Sequence, residues 1–433
     1  MIQNPANLLQ QSRGQLPGRP LRLCASARDI LPSNGFKSRE RVRTLASAGI
    51  YSGTMMSQRL VSDPALFPIA DKVVAGEWLD AADGEALYAS RDVHGIGRLA
   101  NSVREKLHGD RAYYNRNRHI NYTNVCALSC KFCSFYRKAG EEGAYEMPVE
   151  LVVATAVKAA DAGATEIHIV GGLHPWLKFD YYLDMLRGIR AAAPKLHIKA
   201  FTAIEIIHFS RVARMDIRQV LIELHNAGLG SLPGGGAEIF DDRVHDAVFK
   251  SKVRADRWFE VHRIAHELGI FSNATMLYGH VESTQQRIGH FLQLRQHQAD
   301  SLANRPAHFN CIVPLSFIPD NSELGELPGP TGLTDLKTLA IARLMVPNIP
   351  HIKAFWIMQS VALSQVALDY GCDDLDGTVV WYDITKRQGT GVHQELHVDD
   401  IHRLIRETGR VPVERDTLYR PIRADERAAP APA

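Results

Sequence analysis

Three cysteines crowd together at Cys126, Cys130 and Cys133, inside the segment NYTNVCALSCKFCSFY (121–136). Their spacing is C-x3-C-x2-C. Thiolates are the soft ligands that iron–sulfur clusters require. Three thiolates cannot fill a four-iron cluster, so one iron is left open to an external ligand. Two other chemistries compete. Positions i, i+4 and i+7 share one helical face, which would bury three inert thiols. Asn121, Thr123, Asn124, Ser129 and Lys131 make the segment too polar for that. A structural zinc site wants a fourth ligand at close spacing, a second CxxC or a His pair, and none follows. Cys24, Cys311 and Cys372 stand alone. This usage fits a reducing, cytoplasmic setting better than an exported disulfide framework.

Four other phrases carry residues with chemical uses. EIHIVGGLHP (166–175) sets Gly171 and Gly172 just before His174. Without side chains, a glycine backbone can approach a ligand closely. HIKAFTAIEI (197–206) carries Glu205, and SLPGGGAEIF (231–240) joins a glycine run to Glu238. The run is no nucleotide-triphosphate loop, because GxxxxGK[ST] is absent. NATMLYGHVES (273–283) carries His280. Taken singly, a Gly pair is usually a turn and a lone His usually structural. Their shared placement is the argument for function.

That placement comes from the elements. Residues 64–108 show helical periodicity. Candidate strands then follow at 120–125, 166–170, 197–201, 229–232 (weak), 271–277, 308–313, 351–356 and 378–382. Helical patterns lie between them, at 149–162, 178–193, 211–227, 251–268, 283–297, 334–347 and 359–370, with a last one at 398–409. Eight strands each followed by a helix predict a (β/α)8 barrel of the TIM type with an N-terminal helical extension; a doubly wound sheet is the alternative. In a barrel, chemistry sits on loops at the strand C-terminal ends, where Cys126, the Gly pair, Glu205, Glu238 and His280 all fall. The predicted division is an extension (1–56), a helical segment packing on the barrel (57–118), the barrel (119–410), and an extended segment with a Pro/Ala-rich tail (411–433).

The 433 residues are 45% hydrophobic and 23% charged, an ordinary globular balance. No apolar run approaches the ~20 residues of a membrane span. Fifty basic and 48 acidic side chains give +2, so no global field favours nucleic acid or an anionic membrane. The balance is uneven: residues 1–56 hold eight basic and two acidic groups, +6, leaving −4 for the remainder. That segment lacks a secretory apolar core. A basic, acid-poor start also suits a transit peptide; the preferred reading is an unstructured extension ahead of an internal start at Met55 or Met56.

With Phe132 just before its third cysteine, the CxxxCxxC motif resembles the radical S-adenosylmethionine (SAM) superfamily. The resemblance implies a four-iron, four-sulfur cluster on Cys126, Cys130 and Cys133. SAM would bind the open iron by its amino and carboxylate groups and be cleaved to methionine and a 5′-deoxyadenosyl radical. Phe132, Gly171, Gly172 and Glu205 match the cofactor-binding positions. Longer phrases, NRHINYTNVC, LHIKAFTAIEI, LPGGGAEIF, NATMLYGHVES, PHIKAFW and GRVPVERDTLYRP, resemble the aminofutalosine synthase family of menaquinone biosynthesis from about residue 63 to 422. This implies radical addition to the enol-ether double bond of 3-[(1-carboxyvinyl)oxy]benzoate, rearrangement, and loss of a carboxylate as carbon dioxide or bicarbonate. The product is 6-amino-6-deoxyfutalosine.

Such a pocket must neutralise two substrate carboxylates, for which Arg116, Arg118, His174 and His280 are the available cations or donors; with Glu238 they are the candidate substrate-binding residues. A flavodoxin- or ferredoxin-type donor would supply the electron. The stretches 298–311, Gln359–Ser360 and 381–392 depart from the family pattern where substrate is expected. Competing assignments are dehypoxanthine futalosine cyclase and the deazaflavin-forming radical enzymes, which abstract hydrogen and release free 5′-deoxyadenosine. More distant ones are an iron–sulfur electron carrier, normally with four protein ligands, and a zinc protein. A chain beginning at Met56 is expected to fold, take up iron and turn over like the full chain; a large loss of activity would show that the basic segment contributes to the enzyme.

Overall fold

The computed structural model describes residues 60–249, 252–380 and 395–422. The expected extension (1–56), the tail after residue 422 and the divergent stretch 381–392 lie outside the described residues.

Three helices come first: α1 (Phe67–Ala75), α2 (Ala81–Ala89) and α3 (Val93–His108). Acidic side chains start the last two. Asp80 and Asp83 form a reciprocal capping box on α2, and Asp92 accepts the Gly95 N–H at the head of α3. There follow β1 (Arg111–Asn115), β2 (Asn117–Ile120), α4 (Val149–Asp161), β3 (Glu166–Ile169), α5 (Phe179–Ala192), β4 (His197–Ala200), α6 (Ala203–Ala213) and α7 (Ile217–Ala227). Next come α8 (Asp242–Val248), α9 (Ala255–Glu267), β5 (Ser272–Tyr278), α10 (Thr284–Asn304), β6 (Phe309–Ser316), α11 (Gly332–Met345) and β7 (His351–Ile352). The described chain ends with α12 (Trp356–Gln359), α13 (Val361–Ala367), β8 (Asp374–Gly377), α14 (Val398–Glu407) and β9 (Val411–Glu414).

The strands close a parallel ring. β2 pairs with β3 and β3 with β4. A two-residue fourth strand bridges Lys199 to Ser231 and Leu232 to Ser272. β5 pairs with β6 and β6 with β7; Lys353 bridges to Asp374; β8 pairs with β1. β1 and β2 are halves of one strand broken at Arg116, so the ring has eight staves, the (β/α)8 arrangement. Lys337 of α11 donates to the carbonyls of Tyr88 (3.0 Å) and Ser90 (2.6 Å), tying the first helices to the outer layer.

The structure corrects several expectations. Strand one runs from Arg111, not from residue 120. Residues 121–125 instead fold back on the loop that follows, through bridges of Thr123 to Glu146 and Val125 to Arg137. Strand eight is DLDG (374–377), whose residue types read as a turn. Its aspartates face cations instead of water: Asp374 binds Arg415 (2.6 Å) and Asp376 binds Lys353. Thr202 and Glu205 are not in a loop but form the capping box that starts α6. The helical pattern at 211–227 is two helices, α6 and α7. The extended segment expected from 411 begins as β9, which lies parallel to β1 from Arg111↔Val411 to Tyr114↔Glu414, on the side away from β8.

Several histidines are sealed in this framework. Burial pushes His108 and His119 down to about 4 and His290 to about 3. An unfolded imidazole titrates near 6.5. Below that pH the unfolded chain takes up protons that these folded-state histidines refuse, so stability falls as pH falls, by ~1.4 kcal/mol per pH unit for each group until the folded value is reached. Urea unfolding at pH 7.5, 6.5 and 5.5 is expected to show a steep loss between the last two, ~3 kcal/mol over that unit for three such groups. A flat profile would contradict these burials.

Candidate active site

The cysteine loop is held from several sides. The Cys126 N–H donates to Arg137 O (3.0 Å), Ala127 N–H to Leu173 O (2.9 Å) and Lys131 N–H to Val248 O (2.9 Å). Lys138 Nζ gathers the carbonyls of Cys126 (3.1 Å), Ala127 (3.3 Å) and Leu128 (2.9 Å). The N–H groups of Leu128 and Leu173 both point at Cys126 Sγ, at 3.4 Å. Cys130 is buried, Cys126 and Cys133 half-buried. Burial pushes the Cys130 thiol up to about 12 and raises Cys133 as well. Metal binding would have to displace those protons.

Beside this loop lies the end of β3. A Cβ on Gly172 would stand 2.3 Å from Val125 O, and one on Gly171 would stand 2.7 Å from the Tyr122 ring. The missing side chains are therefore needed by the cysteine loop itself, not only by a ligand. Glu205 locks the junction. Its Oε1 accepts Tyr122 O–H (2.8 Å) and Gly171 N–H (3.1 Å); its Oε2 accepts Thr202 N–H (2.7 Å) and Oγ1–H (2.8 Å). Burial lifts the Glu205 carboxyl to about 7 against these four donors.

A cavity of about 280 Å³ opens under the loop. Cys126, Cys130, Cys133, Phe132, Gly171, Gly172, Glu205 and Glu238 all line it. Eight of the candidate residues thus converge on one space. Glu238 is paired with buried Lys252 at 2.5 Å, and the Lys252 ammonium lies 5.2 Å from the Phe132 ring centre. The walls are apolar, with Val170, Leu277, Val313, Phe317, Phe355 and Met358 among them.

The other four candidates lie elsewhere. Arg116 is in mid-strand at the far end of the barrel, 3.7 Å from Glu414, with its carbonyl bonded to Thr165 ahead of β3. Arg118 alternates with cavity-lining His119, so its side chain takes the outer face. His174 Nδ1 accepts the N–H groups of Trp176 and Leu177 (3.3 and 3.2 Å), which leaves Nε2 to donate to Glu146 (2.8 Å). It pins the turn after β3. His280 is buried outside the cavity lining, with Nε2 on Leu277 O (3.1 Å) and its main-chain N–H on Glu282 (2.9 Å).

In their place the cavity contains His119, His168, Lys199, Lys252, Lys353 and Asp376, none of which the sequence reading singled out. A signal existed. HIKAF occurs twice, at 197–201 and 351–355, and each copy points its lysine inward. A Val at Gly172 is expected to displace the Val125–Cys126 backbone and so cut iron uptake to a small fraction of the wild-type content, measured by iron analysis after anaerobic reconstitution. Full iron in Gly172→Val would show that the loop does not depend on this contact.

Comparison with known proteins agrees with this geometry. Residues 120–294 match the radical SAM superfamily and 309–428 the CofH/MqnC C-terminal region. The aminodeoxyfutalosine synthase of Thermus thermophilus is 44% identical across 85% of this chain and 99% of its own length. The 5-amino-6-(D-ribitylamino)uracil–L-tyrosine 4-hydroxyphenyl transferase of Methanopyrus kandleri is 39% identical across 82% and 96%. The crystal structure of methylornithine synthase shares the fold, with a TM-score of 0.64 at 17% identity over 79% of this chain and 96% of that one. Radical SAM proteins bind a four-iron, four-sulfur cluster and SAM, and the described residues contain no helix long and apolar enough to cross a membrane. The chain belongs to the radical SAM superfamily, in the group that carries the CofH/MqnC C-terminal region.

Proposed function

We propose that this chain is an aminofutalosine synthase, with Cys126, Cys130 and Cys133 holding the cluster. The conversion assigned is 3-[(1-carboxyvinyl)oxy]benzoate and SAM to 6-amino-6-deoxyfutalosine, methionine and carbon dioxide or bicarbonate. The observation that carries the reading is a cavity with three thiols at its mouth, apolar walls and cations at its floor. The thiols fit a four-iron cluster with one open iron, because the loop brings three sulfur ligands and no fourth. The walls suit an aromatic ring and the floor suits a carboxylate. The 44% identity to the Thermus enzyme over nearly its whole length supports the same choice.

The cluster and SAM supply a 5′-deoxyadenosyl radical when bound. The protein's share is placement. Gly171 and Gly172 let the cysteine loop and β3 meet. Glu205 fixes the Gly171 N–H, and Phe132 and Glu238 face the space beside the thiols. Phe317, Ile318, Phe355 and Met358 line the cavity with apolar surface, which offers a radical no polar group to react with. The reacting carbons must be held ~3–3.5 Å apart. A flavodoxin- or ferredoxin-type protein is the proposed electron donor and the cytoplasm the proposed location.

Anaerobic incubation with SAM, dithionite and 3-[(1-carboxyvinyl)oxy]benzoate is expected to yield the adenosine–substrate adduct, with little free 5′-deoxyadenosine. Mass-resolved chromatography reads both. Free 5′-deoxyadenosine without adduct would favour dehypoxanthine futalosine cyclase or a deazaflavin-forming enzyme. The triple Cys→Ala variant at 126, 130 and 133 is expected to take up almost no iron; full iron content would overturn the assignment.

A further inference from the structure

The floor of the cavity departs from what fills most barrels. Interior layers are usually Val, Ile and Leu. Here His119, His168 and Lys199 stand in register on β2, β3 and β4, and Lys353 and Asp376 line the same cavity from strands seven and eight. His168 and Lys199 lie three residues before Gly171 and Thr202, roughly 10 Å down the strands from the mouth. Apolar side chains of Val170, Leu277, Val313 and Phe355 line the cavity that joins the two levels.

The lysines are already placed by carboxylates. Lys199 Nζ lies 2.6 Å from Glu166, and Lys353 is paired with Asp376. Against the cost of burial, Lys199, Arg415 and Lys353 hold the Glu166 carboxyl well below its usual range. Against the same cost, Asp376 and Asp374 raise Lys353 above the usual lysine range. An ammonium has three N–H donors, so one ion pair leaves others to give. Burial, His119 and Lys199 push His168 well below the imidazole range, so it is a neutral hydrogen-bonding group there.

We propose that Lys199 and Lys353 receive the aromatic carboxylate of the substrate at this floor, with the ring against the apolar wall and the enol ether toward the cysteine loop. The proposal rests on the function proposed above and fixes the direction in which that substrate lies. The alkene must face the mouth, where the thiols are. The enolpyruvyl carboxylate is attached to the alkene and stays with it. Only the benzoate carboxylate, at the other end of the molecule, reaches the floor. These lysines take the part first expected of Arg116, Arg118, His174 and His280.

The test is calorimetric titration of the anaerobically reconstituted, SAM-loaded, unreduced enzyme. Its probes are 3-[(1-carboxyvinyl)oxy]benzoate and the analogue whose aromatic carboxylate is a carboxamide. Wild type is expected to bind the amide about 10- to 100-fold more weakly than the acid. Lys353→Met, with Lys199 still in place, is expected to lose about 10-fold on the acid and to narrow the acid–amide difference by a similar factor. Should Lys353→Met fail to fold with Asp376 left alone, Lys353→Met/Asp376→Leu removes the pair together and carries the same comparison. A wild-type preference for the acid that survives undiminished in both Lys353→Met and Lys199→Met overturns the proposal. A wild type that forms the adduct yet binds acid and amide equally overturns it while leaving the proposed function standing. A wild type that neither binds nor converts the acid overturns both.

Discussion

The site depends on one close approach between two stretches of backbone. At the end of β3 the chain passes the cysteine loop so tightly that a methyl group on Gly172 would stand 2.3 Å from a carbonyl oxygen. The loop has no helix or strand of its own to hold Cys126. Its shape comes from neighbours: Leu173 on one side, Arg137 and Lys138 on another, and Val248 beyond Lys131. Glu205 braces the same junction through Tyr122, Gly171 and Thr202, linking strands one, two and three at the barrel mouth. Three thiols face one space across this closely packed, hydrogen-bonded junction.

Below the mouth the barrel carries an ionic interior. Burying a charge costs several kcal/mol unless a partner and further hydrogen bonds offset it. Here three buried cations each have a carboxylate: Lys199 with Glu166, Lys353 with Asp376, Arg415 with Asp374. Arg415 follows β9, so the C-terminal strand both covers β1 and supplies a charge to the core. A balanced interior of this kind can accept a carboxylate at lower cost than an apolar one, because the donors are already placed.

Much of the mouth was legible in the sequence, because cysteines, glycines and Phe132 have few uses at that spacing. All three cysteines, both glycines, Glu205 and Glu238 reach the cavity. The floor was less legible. His119, His168 and Lys199 occupy strands, where single inward polar residues look like ordinary alternation. Arg116 and Arg118 precede the cysteine loop within strand one, which leaves one at the far end of the barrel and turns the other outward. Strand eight hid because DLDG has turn-like residues whose strand geometry is supported by cations distant in sequence. His174 and His280 lie at strand ends, as active-site histidines often do, but their ring nitrogens hold turns together.

Three protein thiolates are proposed to leave one iron of the cluster open to SAM inside this cavity. Electron–nuclear double resonance of the reduced enzyme, loaded with SAM carrying a nitrogen-15 amino group, tests it most directly. A resolved nitrogen coupling to the cluster is expected, because the amino group would be bound at iron. A normal reduced-cluster signal with no such coupling would contradict it.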